Sequence, residues 1–331
     1  MKTNRIFTTR QKVSMIVYRK IGQKFEFLVA QRPNSKIWQY PTANCEKGEK
    51  YRDCAFREIK EELGDVNILN FTDLNKSFSF ESSSGKYKEH IVSFEIAKID
   101  KLQEAEFSRC KFLPVAEAQK CVFYEQHKKY LEVVYDLVKS DKVTKFFIFV
   151  APTASGKSVI IKNLLDSNPE VFERVRTYMT RKFKRAEDSL LRVYATKIEF
   201  LKLYKAGKLI ERNYHDGNWY GSSFKLVEEG YKSGKHILAE VDINGLRSLK
   251  THFSNIISFF ILAPLDEIEF RVKERGGHNE QEIAKRLKIA KEEISQKDFC
   301  DNIVRNPQGK LDQTIIKIKD IISAKTGKKL I

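Results

Sequence analysis

From Lys12 to Lys20, and again from Phe25 to Arg32, polar positions alternate with β-branched and aromatic ones, the period-two signature of strands. Turn-forming residues fill Pro33 to Gly48. The period then changes. Over Glu49–Leu63 apolar residues recur at Ala55, Ile59 and Leu63, one stripe along a helix, and Gly64 stands where a glycine ends it. Strand-like runs at Ser77–Glu81 and His90–Ala97 precede a helical pattern over Glu125–Val138, with Tyr130, Val134, Leu137 and Val138 on one side. Phe146–Val150 is a fresh start, five consecutive apolar residues that read as a strand buried on both faces. A boundary near Ser140–Lys145 follows, with domains expected at 1–142 and 143–331. The C-terminal Lys325–Lys329 cluster reads as a frayed basic tail.

Composition narrows the class. A chain of 331 residues, 41% hydrophobic and 32% charged, is globular rather than disordered and fits two domains. Its five cysteines (45, 54, 110, 121 and 300) form no C-x-x-C pair, which argues against a disulfide framework or a zinc site. With no apolar run of membrane-spanning length and no signal-peptide core, a cytoplasmic protein without a membrane partner is expected. Lys+Arg exceeds Asp+Glu by 61 to 44, a net charge of +17. Such a field suits polyanions from nucleotides to RNA, but solvated lysine faces produce the same excess.

The first candidate chemistry lies in Arg57-Glu58-Ile59-Lys60-Glu61-Glu62-Leu63-Gly64. The spacing of Glu58, Glu61 and Glu62 predicts that all three project from one side of the helix, opposite the Ala55/Ile59/Leu63 stripe. Concentrated carboxylates suit a hard divalent cation, which can bind a diphosphate and activate water. On charge pattern alone, an acidic solvent face partnered by Arg57 and Lys60 is the plainer reading. With Glu49 eight residues before Arg57, the segment resembles the Nudix hydrolase box, G-x5-E-x7-R-E-U-x-E-E-x-G-U. The strands before it and Trp38-Gln39-Tyr40-Pro41 are placed as in that family, over about residues 10–140. The resemblance implies an α/β/α sandwich with a mixed sheet, and Mg²⁺ or Mn²⁺ held by Glu58, Glu61 and Glu62. One of these, Glu61 or Glu62, or a glutamate outside the box, would act as general base, while Arg57 and Glu49 brace the loop. The box departs at its first glycine, here Ala43, and at its last apolar position, here Asp65. An alanine forced to positive φ there would cost about 1 kcal/mol. Tyr40, Phe80 and Tyr87 are either stacking surfaces for a base or core aromatics.

The second candidate is Ala151-Pro-Thr-Ala-Ser155-Gly156-Lys157-Ser158, a phosphate loop with Ala151 for its first glycine. A buried strand precedes it and a helix, Val159–Leu165, follows. That context aims backbone N–H groups at the phosphates of a nucleotide, with Lys157 on the β/γ oxygens and Ser158 on Mg²⁺.

From about 144 to 325 the chain resembles guanylate kinase. The resemblance rests on Thr177-Tyr-Met-Thr-Arg181, on Glu211 through Gly217-Asn-Trp-Tyr220-Gly-Ser222, on Ile237-Leu-Ala-Glu240-Val-Asp242-Ile-Asn-Gly245, and on Phe270-Arg271 through Arg275-Gly276 to Arg286. It implies a P-loop kinase α/β fold with a parallel sheet, a lid and a GMP-binding subdomain, and the transfer of phosphoryl from ATP to GMP or dGMP. Glu211, Thr177 and Ser222 would face the guanine, with Arg181, Tyr194 and Tyr220 on the acceptor phosphate. Glu240 and Asp242 would lie near acceptor and Mg²⁺, and Arg271, Arg275 and Arg286 would neutralise the moving group. The family's T-R-x-P-R reads here Thr180-Arg181-Lys182-Phe183-Lys184-Arg185, so the second phosphate cation is Lys184 by spacing or Arg185 with one residue inserted.

Together these readings predict a bifunctional nucleotide enzyme whose Nudix substrate is a nucleoside diphosphate derivative. Two others stay open: a non-catalytic guanylate-kinase-like interaction module beside a Nudix hydrolase, and an RNA 5′-end processing protein. A nucleic-acid partner ranks below small nucleotides.

Overall fold

The computed structural model describes residues 9–33, 35–97, 107–182, 192–215, 217–274 and 279–331. The chain divides into two compact units between Thr144 and Lys145.

The first unit is built on β1 (Arg10–Ile21), β2 (Lys24–Gln31), β3 (Thr42–Asn44), β4 (Ile68–Ser82), β5 (Gly85–Ile96) and β6 (Arg109–Pro114), with helices α1 (Tyr51–Leu63), α2 (Val115–Cys121) and α3 (Glu125–Lys139). The strands form one mixed sheet in the order β4-β5-β1-β2-β6, with β3 beside β1. β1 and β5 run parallel and the other pairs antiparallel. Consecutive residues Val13 to Tyr18 of β1 are buried, so the central strand is covered on both faces. On one face Tyr18, Phe27 and Val29 pack against Tyr130, Leu131 and Val134 of α3. On the other, Phe56 of α1 meets Phe71 and Phe94 at ring-centroid distances of 4.8 and 5.1 Å. This is the α/β/α sandwich expected. Gly64 ends α1 at φ 81°, where its N–H reaches the Lys60 carbonyl. The stretch read as a loop, Pro33–Gly48, contains β3, which places Ala43 opposite Val13. Ala43 is buried in that strand and is not among the non-glycine residues at positive φ, so the strain expected of it does not arise.

In the second unit β7 (Phe146–Val150) is the centre of a parallel sheet ordered β15-β14-β7-β13-β8, and all five of its residues are buried. The remaining strands of this sheet are β8 (Phe172–Arg174), β13 (His236–Glu240), β14 (Ile256–Leu262) and β15 (Asn302–Arg305). A second sheet, β10-β9-β12-β11, consists of β9 (Thr177–Met179), β10 (Arg192–Tyr194), β11 (Leu209–His215) and β12 (Asn218–Ser223). The helices are α4 (Lys157–Ser167), α5 (Lys197–Lys205), α6 (Phe224–Tyr231), α7 (Ile243–His252), α8 (Leu265–Glu274), α9 (Glu280–Ser295) and α10 (Leu311–Thr326). Phe147, Phe149, Phe172 and Phe259 form the sheet side of the core, capped by Ile160, Ile161 and Leu164 of α4 and by Ile315, Ile318 and Ile322 of α10. Phe147→Ala is expected to destabilise the unit by about 3–5 kcal/mol in a denaturant melt, because a rigid aromatic core cannot collapse onto the void.

The C-terminal segment is not frayed. α10 continues to Thr326, and Ile331 exchanges hydrogen bonds with the Asn168 side chain at 2.9 and 3.2 Å. The lysines are exposed because the segment's polar backbone docks while their charges stay in water. Among the described residues, no helix is long and apolar enough to cross a membrane.

Candidate active sites

A cavity of about 610 Å³ opens at the carboxyl ends of β7 and β13 in the second unit. Its floor is the loop Ala151–Ser158, which leads from β7 into α4. The loop turns through two left-handed residues, Ala154 (φ 59°) and Gly156 (φ 87°). A Cβ on Gly156 would lie 2.5 Å from Nδ2 of Asn306, whose amide donates to the Ser155 carbonyl at 2.8 Å. Glycine is therefore required there by both conformation and space. Ala154 carries left-handed strain of about 1–2 kcal/mol. Its methyl packs with Ala263, Ile268, Val272 and Ile283 of the α8/α9 region, which offsets part of that cost.

Around this floor stand Thr177, Arg192, Glu211, Asn213, Tyr220, Glu240, Asp242 and Glu293. Ser222 is buried behind them and donates to Glu211 Oε1 at 2.8 Å. Burial pushes the Glu211 pKa up to about 7, and Asp242 adds repulsion. Asp242 caps α7 through the Gly245 N–H at 2.7 Å and accepts from Asn213. Burial also raises Glu240, but Lys157, Arg192 and Arg174 outweigh it and hold the carboxyl below its usual range. Glu293 of α9 is pushed up to about 7 by burial, against the pull of Lys157.

Of the residues read from sequence, Ala151, Ser155, Gly156, Lys157, Ser158, Thr177, Glu211, Tyr220, Glu240 and Asp242 line this one cavity. Others are elsewhere. Tyr194 is 41% exposed and lines a separate groove with Tyr178, Glu199 and Lys202. The reason is register: Arg192 pairs with Thr177 and Tyr194 with Met179, so Tyr194 is carried about 6.5 Å further along β10. Arg181 is not in the lining, and its Nη1 donates to the Lys182 carbonyl at 3.4 Å. Arg271 braces the loop from behind, donating to the carbonyls of Ala154 at 3.3 Å and Asn306 at 3.2 Å while paired with Glu267. Arg286 pairs with Glu282 at 3.1 Å. Lys184, Arg185 and Arg275 lie outside the described residues. Arg192, Asn213, Glu293 and Asn306 were missed. Glu293 could have been found, since Arg286, Ile289, Glu293 and Gln296 follow helical spacing and the last three line the cavity.

In the first unit Arg57 is the hub. Its guanidinium bonds Glu49 at 2.9 Å, Glu58 at 2.5 Å and Glu61 at 3.0 Å. The hydrogen bond from Arg57 holds Glu49 below the usual carboxylate range. The expectation that three glutamates share one solvent side needs correction. Glu62 is fully buried, with the Arg32 guanidinium 3.5 Å from its carboxylate. Glu62 lies three residues beyond Ile59, so it flanks the apolar stripe rather than opposing it. Among the described residues no three metal-ligating side chains converge. The partly buried Glu58 and the exposed Glu61 are both paired with Arg57, and as hard oxygen donors they fit Mg²⁺, which is commonly held by one or two carboxylates plus substrate phosphates. Tyr40 is buried in the core, and Phe80 and Tyr87 stack on each other at 5.2 Å.

Residues 143–325 match the family model for guanylate kinase, and residues 8–134 match that for the NUDIX domain. The guanylate kinase of Bordetella pertussis is 31% identical over 179 residues, which span 54% of this chain and 82% of the relative. A guanylate kinase structure from Anaplasma phagocytophilum aligns at 23% identity and a TM-score of 0.43, covering 57% of this chain and 91% of its own. A C. elegans Ap4A hydrolase structure aligns at 22% identity and a TM-score of 0.35, covering 40% and 99%. The chain belongs to the guanylate kinase family and carries a NUDIX domain in its N-terminal half.

Proposed function

We propose that the chain is a bifunctional nucleotide enzyme. Its second unit transfers the γ-phosphoryl group of ATP to GMP or dGMP, and its first hydrolyses a nucleoside diphosphate-linked substrate. The observation that carries the kinase reading is a single cavity holding both a phosphate loop with Lys157 and a buried carboxylate, Glu211, suited to guanine.

In this reading the N–H groups of the loop and the first turn of α4 cradle the donor phosphates, with Lys157 on the β/γ oxygens. Ser158 would hold Mg²⁺, which supplies charge neutralisation on the transferred group. Glu211 accepts from the N1–H and 2-amino group of guanine, donors that adenine does not offer in that arrangement. Ser222 orients it, while Thr177 lends its hydroxyl and Tyr220 borders the acceptor. Arg271 acts on the loop carbonyls rather than on the phosphoryl group. In the first unit, Glu58 and Glu61 would hold Mg²⁺ or Mn²⁺ with Glu62 behind them, and a carboxylate would take the proton of the attacking water. An intact Lys157–Ser158 pair in an open cavity disfavours a purely scaffolding role.

The two activities fit one another if the hydrolase acts on a guanine dinucleotide or a modified guanine diphosphate, because cleavage then yields GMP for the kinase. The test is phosphoryl transfer from ATP across GMP, dGMP, AMP, CMP and UMP, followed by a screen of guanine-containing diphosphates for monophosphate release. Turnover confined to guanine acceptors, together with GMP release, is expected. The absence of both activities in folded protein with Mg²⁺ would overturn the proposal.

Glu211 also sets a pH dependence. Its pKa lies above the ordinary 4.5, so the protonated form stabilises the fold at low pH, and that contribution is lost as pH rises from about 4.5 through about 7. Guanine binding needs the anion. The KM for GMP is therefore expected to fall as pH rises to about 7 and then level, with the KM for ATP flat. Glu211→Gln should remove that inflection in a pH series.

A further inference from the structure

One cation in the kinase cavity has the geometry of an anion ligand and no part in the scheme above. Arg192 opens β10 in register with Thr177 of β9. Its Nη1 donates to Thr177 Oγ1, and its Nη2 donates to Glu240 Oε1 at 2.7 Å. Among the described residues these bonds use two of the five guanidinium N–H donors. The side chain is 23% exposed and faces the cavity.

Glu240 does not depend on it. Arg174 donates to the same oxygen at 3.0 Å, and its side chain is only 10% exposed. The buried acid thus keeps a cationic partner if Arg192 turns towards a ligand. Arg174 is too enclosed to do the same. Among the described residues, Lys157 and Arg192 are the cations that line the cavity. Lys157 belongs to the donor loop. Among the described residues, the acceptor end, near Thr177 and Glu211, is left with Arg192.

Resting on the kinase reading, we propose that Arg192 grips the phosphate of the acceptor nucleotide. Its planar fork matches two phosphate oxygens, and a doubly charged phosphate competes well with a carboxylate already shared with Arg174. Thr177 and Glu240 hold the guanidinium in place before the acceptor arrives. A guanidinium can also read the O6/N7 edge of guanine, so the experiment must separate phosphate from base.

Calorimetric titration of GMP and of guanosine, which has the base but no phosphate, makes that separation. For R192A, GMP affinity is expected to fall about 10- to 100-fold, the range of one or two charge-assisted hydrogen bonds. Guanosine and ATP affinities should stay within about twofold. R192K keeps the charge without the fork and should fall between wild type and R192A, which also guards against a folding defect in R192A. Equal weakening of GMP and guanosine would overturn the proposal in favour of a base or structural contact. An unchanged GMP affinity would overturn it outright. If wild-type protein binds GMP but turns it over with no donor, the kinase reading fails while the GMP-to-guanosine comparison still decides Arg192. Wild-type protein that binds neither sinks both.

Discussion

Lys157→Ala is expected to lower kcat for ATP-dependent phosphorylation of GMP by on the order of 10³-fold. Lys157 is the first residue of α4 and lines a cavity whose other charged neighbours are mostly acidic: Glu211, Glu240, Asp242, Glu292 and Glu293. Its charge favours the anions of both Glu240 and Glu293, although burial still leaves the Glu293 pKa raised. Without it, the donor phosphates meet an uncompensated negative wall just where further charge develops during transfer. The cost should appear in kcat more than in the KM for GMP, because Lys157 belongs to the loop and not to the Thr177–Glu211 end. The side chain is partly exposed at a helix start, so thermal melts should match those of wild type. A steady-state coupled assay decides it, and a kcat within tenfold of wild type would contradict the role.

The second large effect is expected in the hydrolase unit. Glu58→Gln should reduce metal-dependent release of monophosphate from guanine diphosphates by about 10²- to 10⁴-fold, the range for losing a metal ligand or a general base. The neutral amide keeps the size of the side chain but is a weak ligand for Mg²⁺. It also weakens one of the ion pairs that hold Arg57. Arg57 keeps its pairs with Glu49 and Glu61, and α1 is anchored by Phe56, Ile59 and Leu63, so the fold should persist. Kinase turnover should be unaffected, because Glu58 and the phosphate loop belong to different compact units. Retained hydrolysis at millimolar Mg²⁺ would remove Glu58 from the metal site.

Much of this protein was legible in its sequence. β7 is the Phe146–Val150 run residue for residue, and α1 and α3 follow their apolar stripes to within two residues. Those elements are set by local periodicity, which needs no knowledge of partners. The phosphate loop was visible in a contiguous motif, and Glu211, Glu240 and Asp242, which line the same cavity, through the resemblance of their segments to guanylate kinase. The NUDIX and guanylate kinase matches follow the same segments.

What only the tertiary structure decided concerns direction and register. Spacing placed Glu62 with Glu58 and Glu61, yet packing of α1 on the sheet turned it inward, since a residue at the edge of an apolar stripe is assigned by the neighbouring face and not by the helix alone. Strand pairing put Arg192, and not Tyr194, at the level of Thr177. Asn306, over a hundred residues from the phosphate loop, proved to be what Gly156 must avoid. The sequence by itself determined the long periodic elements and the motifs that the chain carries, because those depend on neighbours a few positions away. Which side chains share one cavity was decided by pairings between distant segments, whose register no local pattern encodes.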